Sequence, residues 1–174
     1  MPELPDLLAS LTALLTRDLQ ALRRSIEAYP DDALPWRQPP GLPNSAGTLA
    51  LHVAGNLRHF IGATLGGTGY VRDRDHEFAA RNLSRAELAA GLAATEADVR
   101  HALGRLTTAD LQRDYPLPVA GHRFGTADFL LHLVSHLSYH LGQVDYHRRV
   151  VTGEATPIGA MALPALASAR PVDG

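Results

Sequence analysis

Apolar residues recur at helical spacing in four stretches of the chain. From Leu8 they continue through Leu11, Leu15, Leu19, Leu22, Ile26 and Tyr29, one stripe on a helix that stops at Pro30. A second stripe, Leu49, Val53, Leu57, Phe60 and Ile61, follows Pro43, with Asn44 or Ser45 placed to cap it and Gly66 and Gly67 to end it. Ser84 and Glu87 form a capping-box pair ahead of a third stripe, Leu88, Leu92, Thr95, Val99, Ala102, Leu103 and Leu106. The fourth has Leu130, Leu133, Leu137, Val144 and Val151 as its seam, with Asp128 in its first turn and Arg148 and Arg149 in its last, as the helix dipole favours. The spacing predicts helices near 6–29, 45–65, 84–106 and 126–152. Four amphipathic helices with long connections make an all-α four-helix bundle, where sites form from side chains facing the core.

The connections differ in character. Residues 30–43 are proline-rich and hold the only tryptophan. Residues 67–83 are Gly-led and contain the charged run RDRDHEF, which reads as a solvated, salt-bridged loop; Arg72, Arg74 or Glu77 lining a site mouth is the alternative. Residues 112–125 suit a short hairpin. A length of 174 residues fits one core and is short for two. The pattern predicts one domain over 1–152 and an extended tail over 153–174 packing on the surface.

Composition narrows the chemistry. Apolar residues make up 45%, charged residues 20%, and the formal charge is −2, so no strong field invites nucleic acid or an anionic membrane. Cysteine is absent, which removes disulfides, thiolate nucleophiles and cysteine-bound metals. Lysine is absent too, since all 16 basic residues are arginine, and with it go Schiff-base chemistry and a phosphate-loop lysine. No basic leader and no apolar run of membrane-spanning length show, so a soluble cytoplasmic protein is expected. Histidine runs the other way: there are nine, and His132, His136, His140 and His147 all fall in the fourth helix.

On a helical wheel His140 lies about 40° from the seam of that helix, His136 about 80° and His132 about 120°. His136 and His140 can therefore point together into the bundle, while His132 is carried outward. An i, i+4 histidine pair is a known way to hold a metal, but HLVSH lacks the glutamate of a zincin, so a metalloprotease is unsupported. In the second helix His52 borders the apolar face, with Asn56 one turn on. Together His52, His136 and His140 would give three neutral ligands and leave positions for water or substrate, as in a catalytic site. A fourth protein ligand, for instance His132 or Glu77, would favour a structural staple instead. Hydrogen-bonded structural histidines are the alternative for each. His59, His76, His101, His122 and His147 read as surface or loop residues. Gln143, beside the His136–His140 row, would hydrogen-bond a ligand or cap the core.

HLVSHLSYHLGQVDYHRR, together with HVAGNLRHFIG and RDRDHEF, resembles the DinB-like superfamily of metal-binding helical bundles, over most of residues 8–152. The resemblance implies an up-down-down-up four-helix bundle, frequently dimeric. It also implies a nickel or zinc ion on one histidine of the second helix and two of the fourth, here His52, His136 and His140. Many relatives carry an arginine before the Gly-Gln pair, where this chain has Leu141, so no arginine role is expected there. Relatives include transferases and isomerases that use mycothiol or bacillithiol. The implied activity is that of a divalent-metal-dependent S-transferase acting on a small-molecule substrate with a low-molecular-weight thiol as cosubstrate. Arg58, Arg72 or Arg74 would contact the thiol's carboxylates, and Asn56 would orient a metal-bound atom. A metal-dependent hydrolase and a non-catalytic metal-binding bundle remain the alternatives. A homodimer is expected from the resemblance and from the apolar tail residues Met161, Leu163 and Leu166.

Overall fold

The computed structural model describes residues 6–172; the first five positions of the expected domain and the last two of the tail lie outside the described residues. Helix α1 (Leu7–Glu27) is capped by the Asp6 side chain. Helix α2 (Ala46–Leu57) starts at Ser45, whose hydroxyl accepts from the Thr48 amide. It continues as a π-helical stretch, Arg58–Ala63, and one last α turn, Thr64–Gly66. A short helix α3 (Arg74–Ala79) follows, then α4 (Arg85–Leu103), with the Ser84–Glu87 capping box formed. A single turn α5 (Thr108–Leu111) leads to α6 (Thr126–Thr152), which ends at Gly153 in the left-handed conformation, φ 72°. Among the described residues there are no strands. The expected hairpin over 112–125 is reduced to two isolated antiparallel bridges, Asp114 with Gly125 and Val119 with His122.

The four long helices form a bundle in which α1 and α2 sit on opposite corners, each packed between α4 and α6. Their directions follow from cross-helix contacts. Asp18 meets Ser138 and Tyr29 meets His147, so α1 and α6 run the same way. Gln20 meets Glu96 and Arg85 reaches the Tyr29 carbonyl, so α4 runs against α1. His52 meets His136 while Phe60 packs on Phe129, so α2 runs against α6. The order is up-down-down-up. The expected stripes are the core: Leu11, Leu15, Leu22, Val53, Leu57, Leu92, Val99, Leu130 and Leu137 are all buried. Full burial of such side chains, at roughly 1.5–3 kcal/mol each, is what holds the helices in register.

Two loops are pinned to this frame. The Trp36 indole donates to the Leu83 carbonyl at 2.8 Å and packs flat against Gly47, where a side chain would collide with the ring. The tail returns along the bundle, its Ile158 and Thr156 carbonyls accepting from Arg24 and Arg148. One expectation is corrected here. His147, read as a surface residue, is 2% exposed, because its ring bridges the Tyr29 hydroxyl at 2.7 Å and the Arg37 carbonyl at 2.7 Å. No helix among the described residues is long and apolar enough to cross a membrane.

Candidate metal centre

The antiparallel pairing of α2 and α6 sets His52 opposite the His136–His140 pair. The three Nε2 atoms face one another: His52 to His136 is 3.3 Å and His136 to His140 is 3.1 Å. One ligand atom from each lies within 4.8 Å of the others, and among the described residues no other histidine or carboxylate joins the group.

The outer nitrogens decide which way the lone pairs point. The His52 Nδ1–H donates to Glu77 Oε2 at 3.1 Å, and the His140 Nδ1–H donates to Gln143 Oε1 at 2.7 Å. Both hydrogen bonds fix the tautomer that leaves a lone pair on Nε2, an orientation inferred from the network. Only His136 can then carry a proton on Nε2, and it can satisfy one neighbour, not both. Its own Nδ1 is buried without a partner. A half-buried cluster of converging lone pairs with too few protons is a donor set suited to a divalent cation. Burial, and after it the proximity of His140, His52, His132 and Arg72, pushes the His136 pKa down to about 4. Burial also lowers His52 and His140, against the opposing hydrogen bonds to Glu77 and Gln143. All three imidazoles are thus held neutral, the state in which they ligate.

The charged run after α2 takes part, contrary to its reading as a solvated loop. Asp73 caps α3, and that single helical segment turns Glu77 inward until it is 4% exposed. Arg72 grips the Glu77 carboxylate with both arms of its guanidinium, at 2.7 and 2.8 Å. Glu77 is therefore a carboxylate behind His52, not a mouth residue. Gly55 makes room for it, since a β-carbon at that position would overlap the Glu77 carboxylate. Gly55 is the residue the sequence reading missed. Its signal was a glycine inside an Ala- and Leu-rich helix, a placement that costs roughly 0.5–1 kcal/mol relative to Ala and asks for a close neighbour.

The other candidates divide. Asn56 is buried one turn beyond His52, its side-chain oxygen without a partner. Arg74 is exposed and lies over the Phe78 ring, which in turn packs 5.2 Å from the His52 ring. Arg58 pairs with Asp98 at 2.7 Å and stacks over Tyr70. His132 stacks on Phe129 and stays outside the group of three.

Bundle and cluster together define a helical protein with a histidine-lined candidate metal site. The family model of the DinB superfamily matches residues 14–144, well over half of the chain, and the protein belongs to that superfamily. No curated protein matches the chain in sequence.

Proposed function

We propose that His52, His136 and His140 hold a divalent cation, nickel or zinc, and that the protein is a small-thiol-dependent S-transferase. The observation that carries this reading is the convergence of three neutral imidazole Nε2 atoms with no carboxylate among them. Such an ion keeps its full charge, leaves coordination positions open and lowers the pKa of a thiol bound there. The protein has no cysteine, so the thiol comes as a cosubstrate such as bacillithiol or mycothiol. The chain's own residues do the positioning. Arg72 holds Glu77, Glu77 holds the His52 ring, and Gln143 holds the His140 ring. Asn56 offers its unpaired amide oxygen beside His52. Since the Arg72 fork is engaged by Glu77, Arg74 is the better candidate for contacting the thiol's carboxylates.

The test is elemental analysis of untagged protein, followed by thiol titration of the cobalt-substituted form. The expected result is one equivalent of metal and a thiolate-to-metal absorption band. Metal without a band for any small thiol removes the transferase and leaves hydrolysis or a structural ion. Absence of stoichiometric metal overturns the whole reading.

A further inference from the structure

The chain leading into α2 and the second half of α6 enclose a groove that reaches the histidine cluster. Its volume is about 290 Å³, and both His140 and Gln143 line it. Leu42, Pro43, Leu49, Tyr146 and Val150 give it apolar walls, and no charged side chain lines it. Grooves elsewhere on the bundle differ on both counts. Arg17 and Arg100 line one of about 610 Å³ between α1 and α4, and Asp128 lines another of about 540 Å³. Neither is lined by His52, His136 or His140.

The walls are set before anything binds. Leu49 and His147 are its buried side, and both His147 nitrogens are engaged, by the Tyr29 hydroxyl and the Arg37 carbonyl. The loop carrying Leu42 and Pro43 is tied down twice: the Leu42 amide donates to the Pro39 carbonyl, and Gln38 donates to the Pro43 carbonyl. At the rim Tyr146 and Val150 are 72% and 62% exposed, large apolar surface held in water beside a cavity. A preformed apolar pocket with few polar groups suits a small uncharged molecule, and ~300 Å³ is the lower end of the usual range.

Gln143 supplies the polar contact. Its Oε1 accepts from the His140 Nδ1–H at 2.7 Å. A cation on His140 Nε2 keeps the proton on Nδ1, so the amide oxygen has to face the ring. The amino half of the Gln143 amide is then turned away from His140, and among the described residues it has no acceptor. A carbonyl oxygen can take that N–H. A carboxylate would bring a charge into a groove with no cationic side chain to pair it.

We infer that this groove selects the substrate that receives the thiol: an uncharged molecule with an apolar, single-ring body, whose carbonyl oxygen accepts from the Gln143 amide. The inference rests on the S-transferase reading and adds the class of that second substrate.

The probes are benzylacetone, an unreactive ketone of this shape, and hydrocinnamate, the same body ending in a carboxylate. Titrations followed by the probes' proton NMR signals read binding in the metal-loaded and the chelated protein alike, independently of thiol transfer. The ketone should bind both forms. Hydrocinnamate should bind the chelated protein at least about 10-fold more weakly, as its charge has no partner there. Val150→Glu, at an exposed helical position that glutamate suits, should raise the ketone's dissociation constant on the order of 10-fold. Gln143→Glu keeps an acceptor for His140 but loses the N–H, and should raise it roughly 5- to 10-fold. In cobalt-substituted protein the bound ketone's methyl signal should broaden by paramagnetic relaxation, which places it beside His140. No binding of the ketone, equal binding of hydrocinnamate, or silence of both variants overturns the inference. So does binding without broadening by bound cobalt, which would seat the ketone in another groove. A protein that takes up no cobalt, or shows no thiolate-to-metal band, fails the reading on which the inference rests, while the ketone, hydrocinnamate and variant titrations still decide the groove.

Discussion

Gly55 and Glu77 share one space: the carboxylate of Glu77 stands where the β-carbon of any other residue at position 55 would be. A backbone position on α2 and an acid on α3 are thereby made to depend on each other. The hydrogen bond that orients the His52 ring rests on that fit.

Gly55→Ala should weaken metal binding about 10–100-fold, the usual cost of disturbing a carboxylate behind a ligating histidine, with the three histidines untouched. Glu77→Gln should act in the same direction. Competition with a chelator of known affinity measures both. An unchanged affinity in Gly55→Ala would show that Glu77 does not orient His52.

Loss of one of the three histidines should be more severe. His136→Ala and His140→Ala should bring bound metal below stoichiometric levels after reloading, and His52→Ala should reduce it strongly. His132→Ala should retain close to wild-type content, because its ring stacks outward on Phe129. Elemental analysis of the four proteins side by side decides the assignment, and full metal in any two of the first three would refute it.

The metal-free protein should lose stability in acid over a defined window. The His136 pKa is about 4 when folded, against an ordinary 6.5. Between these values the unfolded chain binds a proton that the folded chain does not, so unfolding becomes easier as pH falls. Stability should be full above about pH 6.5 and decline towards pH 4, with His52 and His140 adding in the same direction. Urea unfolding midpoints across pH 4–7.5 test this. Added zinc should raise the midpoint at pH 7.5 and progressively less in acid, where protons compete for the same nitrogens.

Tyr29→Phe should cost about 1–3 kcal/mol by leaving the buried His147 Nδ1 without its partner. Denaturant unfolding at neutral pH reads the loss, while metal affinity should stay unchanged because this pair lies two turns along α6 from His140. A parallel loss of metal affinity would indicate that the two regions of the helix are coupled.

The helices and most of the histidine cluster were legible in the sequence because both are local patterns. Leu8 to Tyr29 and Leu130 to Val144 repeat at the helical period, and His136 and His140 stand four apart beside their seam. His52 needed only the bundle geometry. Glu77 and His147 were not legible, since their burial depends on partners distant in sequence or on a loop: Gly55 and Arg72 for one, Tyr29 and Arg37 for the other. The charged run around Arg74 looked solvated because five of its seven residues are charged, and nothing local says that one of them faces inward.

The π-helical stretch Arg58–Ala63 changes the phase of the second helix. The Thr64 amide closes on the His59 carbonyl, taking in one residue more than an α turn. Everything after Ala63 is thereby rotated about 100° from where an unbroken α-helix would carry it. The half that presents His52 to α6 is thus uncoupled in register from the half that sets Gly62 against Asp98 of α4. A one-residue deletion within 58–63 would remove the residue that the wider turn takes in, and the unbroken α-helix it leaves would keep both halves on the faces they now present. Deleting a residue there should therefore be tolerated far better than deleting one from the α-helical part Ala46–Leu57, where every later side chain would turn by about 100°.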